Sequence, residues 1–271
     1  MTLGLRFLND TFGECGRPTV AWQADPFGHS RNQANLFAQM GFDGLMIGRI
    51  SVDDFDNRFS NRQLVFVWKT DPTESDSGDI LTWVPPNTYT TPRYYEYFPS
   101  PGDVGFNQWK SDELTTGARV ALYSLNLTST YHGRQIGFLY GSDLSFRFAG
   151  HEFLNVDDLV NETNRLGEKY SVHASYSTPY CYVNALHASN ETWSVFRGDF
   201  FPYTDKVSRT WTGFFTSRPI LKHLIRYSNG FLQACKQLST AAGGSSSAQV
   251  RVLQEAVATL QHHDGITGTC T

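Results

Sequence analysis

The chain has 271 residues, of which 40% are hydrophobic, 14% aromatic and 18% charged. That balance excludes an intrinsically disordered chain, and a net charge of −4 with a pI near 6.0 leaves no global basic footprint for nucleic acid. No stretch approaches the roughly 18 apolar residues of a membrane helix, so the composition is that of a globular protein with a sizeable core.

The first residues, Met1-Thr2-Leu3-Gly4-Leu5-Arg6-Phe7, hold an apolar run too short for a signal peptide, and Arg6 breaks it. Asn-x-Ser/Thr sequons nevertheless occur at Asn9, Asn126, Asn161 and Asn190, which point towards a secretory route. Cys15, Cys181, Cys235 and Cys270 are widely spaced with no Cys-x-x-Cys, which argues against a zinc ribbon or redox motif and leaves buried thiols and disulfides equally open.

Residues 19–24 (Thr-Val-Ala-Trp-Gln-Ala) read as a buried strand, and Asp25-Pro26-Phe27-Gly28 turns the chain. Ser30 then offers an N-cap with Gln33 three residues on, followed by Ala34, Phe37 and Met40 on one helical face. Leu45-Met46-Ile47 is a second strand closed by Gly48-Arg49, which completes a unit of βαβ size. Strands are expected again over 63–69, 136–140 and 172–176, with a helix over 155–170. The span 70–116 reads as a long irregular region whose aromatics (Trp83, Tyr89, Tyr94, Tyr95, Tyr97, Phe98) argue for order. Past Val207 the texture becomes helical: 218–238, a Gly/Ser linker over 243–247, and 249–261.

The fold expected is therefore α/β: an incomplete (β/α) barrel-like domain with parallel strands over 1–206, followed by the start of a helical bundle over 207–271. In such sheets ligands bind at the carboxyl ends of the strands. Asp25, Arg49 and Asp143 each fall there, a pair of carboxylates with a cation between them in character. Two carboxylates are the minimum equipment of a glycosidase, and a guanidinium favours an ionised neighbour. Each residue alone is ordinary turn chemistry; together they make a candidate site. His262-His263-Asp264 follows a helix and offers zinc-type donors, although histidines are also favoured at helix C-termini. His29, His132, His151, His173, His187 and His223 show no ligand spacing and read as structural or exposed.

Several segments, in order along nearly the whole chain, resemble glycoside hydrolase family 38, and within it the lysosomal α-mannosidase branch. They are Phe7-Leu8-Asn9-Asp10-Thr11-Phe12-Gly13, Asp25-Pro26-Phe27-Gly28-His29-Ser30, Gly141-Ser142-Asp143, Tyr176-Ser177-Thr178-Pro179, Phe200-Phe201-Pro202-Tyr203, Trp211-Thr212-Gly213-Phe214-Phe215 and Gln261-His262-His263-Asp264-Gly265. The resemblance implies a retaining exo-α-mannosidase with one zinc ion. It gives Asp25 the roles of nucleophile and zinc ligand, Asp143 that of general acid/base, and His263 that of zinc ligand. Arg49, Tyr89 and Asp264 match substrate-binding positions. The substrate implied is terminal α-mannose on glycoprotein glycans, in a lysosomal or secretory compartment, with no nucleic-acid partner; self-association stays open.

The family's zinc site also draws on a His-x-Asp pair near the start of the domain. No such pair lies upstream of Asp25 here, so two expected ligands and the strand that bears them are missing. The resemblance likewise places the disulfide partners of Cys181 and Cys235 outside these residues. An alternative reading is thus an inactive, truncated or degenerate chain with at most weak sugar binding.

Overall fold

A computed structural model describes residues 1–71, 78–91, 115–244 and 247–270. It divides into two compact units, Met1–Phe201 and Pro202–Thr271.

The first unit opens with α1 (Thr2–Phe12) and then builds one sheet from β1 (Val20–Gln23), β2 (Gly44–Ile47), β3 (Val65–Lys69), β4 (Asp79–Trp83) and β5 (Ser194–Phe196). Its helices are α2 (Arg31–Gln39), α3 (Val52–Ser60), α4 (Thr116–Leu127), α5 (Ala149–Arg165), the short α6 (Gly167–Tyr170) and α7 (Pro179–Ala188). The strand order is β1-β2-β4-β3-β5. β1, β2 and β4 run parallel, from Val20↔Gly44 to Gln23↔Ile47 and from Gly44↔Leu81 to Met46↔Trp83. β3 is antiparallel to β4 and parallel to β5, so the sheet is mixed and not wholly parallel as expected. The described strands form an open sheet with β1 and β5 at its edges.

β2 is buried at every position, as a central strand covered on both faces should be. Leu64, Phe66 and Trp68, at the start of and within β3, are also fully buried. The Trp68 indole N–H donates to the Gly198 carbonyl at 2.9 Å, which satisfies the one polar atom that ring brings into the core. Phe66, Phe196 and Phe200 close an aromatic cage round the Arg58 guanidinium, which lies 4.6–5.0 Å from the three ring centres and is held by Asp54 at 3.0 Å. The Ser30 hydroxyl caps α2, accepting from the Asn32 N–H.

Three expectations need correction. Residues 136–140 form no strand: their apolar side chains pack on the sheet core and, through Phe138 and Tyr140, on Val120 and Leu159 of α4 and α5. Burial was the signal, and helix packing satisfies it without a ladder. Residues 172–176 form no strand either, because the Asn164 side chain takes the place of a neighbouring strand. Its amide donates to the Ala174 carbonyl at 2.8 Å and accepts from the Ala174 N–H at 2.7 Å. The helix expected over 155–170 begins earlier and breaks after Arg165. Within the region read as irregular lie β4 and only the first residue of α4, Thr116, whereas Tyr94, Tyr95, Tyr97 and Phe98 lie outside the described residues.

The second unit holds a two-stranded ribbon, β6 (Thr204–Lys206) and β7 (Arg209–Thr210), then α8 (Pro219–Ala241) and α9 (Ala248–Leu260). The two helices pack through Leu232, Val250 and Val257, with Cys235 and Leu253 at the margin. Ser247 caps α9, accepting from the Val250 N–H.

Candidate active site

Two adjacent parallel strands deliver Asp25 and Arg49. β1 ends at Gln23 and β2 at Ile47, paired partners in register, so the residues two places beyond each fall side by side. Gly48 makes the approach possible: it donates to the Gln23 carbonyl at 2.9 Å, and a Cβ on it would lie 1.9 Å from the Ala24 carbonyl oxygen. Arg49 forms an ion pair through Nε with Asp25 Oδ1. Its guanidinium carbon also sits 5.7 Å from the centre of the Phe27 ring and 5.8 Å from that of Tyr89, a spacing suited to cation–π contact.

Tyr89 and Asp143 come from two loops pinned together. The Asn87 side chain donates to the Thr90 hydroxyl and to the Thr91 carbonyl, at 2.9 and 3.0 Å, and so folds the Tyr89 loop on itself. Thr91 then donates through its backbone N–H to the Gly141 carbonyl at 2.6 Å, and its hydroxyl accepts from the Gly141 N–H at 2.7 Å. Gly141 is two residues from Asp143, which is exposed. Burial pushes the Tyr89 hydroxyl above its ordinary pKa; the charges of Asp25 and Asp143 push it the same way, and Arg49, which also hydrogen-bonds it, pulls it back. Tyr89 thus feels all three of the other residues singled out in this unit. It keeps its proton, and is a donor, throughout the physiological range.

The histidine pair lies in the second unit, just past α9. The His262 and His263 rings stand 4.0 Å apart between centres, and their Nε2 atoms are 3.5 and 3.6 Å from Asp264 Oδ2. The Thr269 hydroxyl donates to Asp264 Oδ1 at 2.6 Å and holds that carboxyl below its usual range, against burial and with help from both histidines. The segment is tied to the start of α8: the Ser217 hydroxyl donates to the Thr267 carbonyl at 2.7 Å and Arg218 to the Cys270 carbonyl at 3.1 Å. One donor atom from each of His262, His263 and Asp264 falls within 4.8 Å of the others, and imidazole nitrogen with carboxylate oxygen is a donor set that suits zinc. His263 and Asp264 therefore fit a metal-binding role. His262 joins them geometrically, as the His-His-Asp run suggested, although the family resemblance gives it no role.

His29, read from the sequence as structural or exposed, is buried at 3% exposure, and its Nε2 lies 2.9 Å from the Arg49 carbonyl oxygen. The signal that sets it apart from the other histidines is its place inside the Asp-Pro-Phe-Gly-His-Ser run. The four cysteines carry no disulfide among the described residues, and the four sequon asparagines are all exposed. No helix among the described residues is long and apolar enough to cross a membrane.

Comparison with known families decides what this geometry belongs to. Residues 1–206 match the glycosyl hydrolases family 38 N-terminal domain, and residues 209–271 match the alpha mannosidase middle domain. The chain belongs to glycosyl hydrolase family 38. This family-38 chain is 43% identical to mouse lysosomal alpha-mannosidase over 283 residues and 42% identical to the human protein of that name over 287, in each case covering 99% of its own length. A lysosomal alpha-mannosidase from Dictyostelium discoideum is 32% identical over 279 residues. The chain spans about 28% of the length of these animal relatives.

Proposed function

We propose that the polypeptide carrying this sequence is a retaining, zinc-dependent exo-α-mannosidase that removes terminal α-mannose from glycoprotein glycans. The observation that carries the reading is the Asp25–Arg49 ion pair at the ends of β1 and β2, with the Tyr89 ring over the guanidinium and the Tyr89 loop pinned through Thr91 to Gly141, two residues before Asp143. Two carboxylates, one paired with a cation and one exposed on a neighbouring loop, suit the division of labour a retaining glycosidase needs.

Asp25 attacks the anomeric carbon and forms a glycosyl–enzyme ester, while Asp143, which must arrive protonated, gives its proton to the departing oxygen. Asp143 then takes a proton from water as that water breaks the ester and releases mannose with its configuration retained. Arg49 holds Asp25 in position for attack, and Tyr89, a permanent donor, hydrogen-bonds the substrate beside it. By the family resemblance Asp25 and His263 are the residues of this chain that would hold the zinc ion, and Asp264 would take a sugar hydroxyl. When bound, zinc orients adjacent sugar hydroxyls and withdraws charge as a Lewis acid. A lysosomal or secretory setting agrees with the four exposed sequon asparagines and with the names of the relatives.

A second reading concerns these 271 residues taken alone. No His-x-Asp lies upstream of Asp25, so the zinc site that the family resemblance calls for is only half supplied, and the isolated chain is expected to turn over little substrate. Zinc-dependent release of mannose from an aryl α-mannoside by the isolated chain, abolished by Asp25→Asn, would overturn that expectation. The enzyme reading itself fails if a complete reading frame extending upstream contains no His-x-Asp.

A further inference from the structure

His29 lies four residues past Asp25 and is one of few polar side chains buried in the first unit. Its placement is fixed from several sides. Its backbone exchanges a pair of hydrogen bonds with Phe200, at 3.1 and 2.8 Å. Gly28, just before it, takes φ 111° in a turn where a Cβ would stand 2.5 Å from the Phe201 ring. The imidazole is thereby sent inward, between the ends of β1 and β2.

There it meets both strands. Nε2 is 2.9 Å from the Arg49 carbonyl oxygen, and Nδ1 is 3.4 Å from the end of the Gln23 side chain. A carbonyl only accepts, so Nε2 carries the ring proton. Nδ1 of the neutral ring then accepts, with the Gln23 amide turned to present its N–H, an orientation that the hydrogen-bond network decides. Burial lowers the imidazole pKa to about 4, partly offset by the Arg49 carbonyl, so this single tautomer persists into mildly acidic conditions. Arg49 stands two residues past the last paired residues of the β1–β2 ladder, Gln23↔Ile47, so the ladder itself does not set its peptide.

We infer that His29 is a positioning residue: its Nε2–H···O=C bond to Arg49 sets where the Arg49 guanidinium stands against the Asp25 carboxylate. The importance of that pair rests on the catalytic reading of Asp25, but the arrangement can be tested without turnover, so failure of one is distinct from failure of the other.

The test is the rate at which phenylglyoxal modifies individual arginines in the 271-residue chain, read by peptide mass spectrometry. Arg251, 72% exposed, is the fast reference, and the buried Arg58 reports on opening of the fold. Wild type, His29→Leu and His29→Gln are compared, since the glutamine amide can return a donor to the position of Nε2. Loss of one hydrogen bond to a buried carbonyl predicts about a tenfold faster modification of Arg49 in His29→Leu. In His29→Gln the rate returns to within about twofold of wild type, because the donor is back. Arg58 stays slow in all three. An unchanged Arg49 rate in His29→Leu overturns the inference, as does an equal rise in the Gln variant. A rise at Arg58 alongside Arg49 also overturns it, since His29 would then support the fold at large and not one side chain.

Discussion

Asp143 and His29 lie in opposite surroundings, one exposed on a loop and one sealed inside, and their expected behaviour differs accordingly. As the proton donor, Asp143 should matter in proportion to the need of the leaving group. Asp143→Asn is expected to lower kcat on an alkyl α-mannoside by about 10²–10⁴-fold, and far less on a nitrophenyl α-mannoside whose oxygen leaves without protonation. Initial rates on the polypeptide extended to the length of its relatives measure the difference, and equal losses on both substrates would exclude the acid role. His29, beyond positioning Arg49, gives the stability a pH dependence. Its pKa in the folded chain, about 4, lies below the ordinary 6.5, so the unfolded chain binds the extra proton first. The stability that follows from a neutral His29 is complete above about pH 6.5 and is lost as pH falls towards 4, a change of about 3 kcal/mol. Denaturant titrations from pH 7 to pH 4 should show that slope in wild type and a shallower one in His29→Gln.

The element that builds the site is the pair of parallel strands β1 and β2, and Gly48 is where they come closest. Gly48→Ala forces a methyl group into the Ala24 carbonyl, and is expected to destabilise the chain by about 3 kcal/mol as the turn bearing Asp25 moves away. A denaturant midpoint equal to that of wild type would show that the strand ends can part at no cost. These same strands were legible in the sequence because each is a short apolar run closed by turn residues, and their ends pointed to Asp25 and Arg49; Asp143 was reached through the run at 136–140, which forms no strand, and it sits on a loop. The runs at 136–140 and 172–176 misled because apolar and β-branched character does not say what will pair with a segment's backbone or pack on it. Two helices pack on the first, and the Asn164 side chain bonds the backbone of the second at Ala174. β4 escaped notice since five residues in a Pro- and Asp-rich stretch carry little periodicity of their own, and its antiparallel partner β3 is a matter of long-range pairing. Arg58 shows the same limit: nothing in the local sequence announces that three aromatic rings from β3, β5 and the loop after β5 will enclose it.

At the scale of the whole molecule the chain carries its chemistry in two parcels, a carboxylate–guanidinium–tyrosine group in the first unit and a histidine–aspartate group in the second. The family models meet these same two stretches in order, and the 28% span of the animal relatives leaves most of their length beyond this sequence. The motif series made the family readable from residues alone, whereas the joining of Tyr89 to Asp143 through Thr91 and Gly141, and the entry of His29 between two strands, required the fold. The central claim is that Asp25 forms the covalent bond to the sugar. It is tested most directly by incubating the polypeptide, extended to the length of its relatives, with a 5-fluoro-mannosyl fluoride and mapping the adduct by peptide mass spectrometry. A single fluoromannosyl group on Asp25, absent in Asp25→Asn, is the predicted result; mannoside hydrolysis with no adduct there, or an adduct on a different carboxylate, would contradict it.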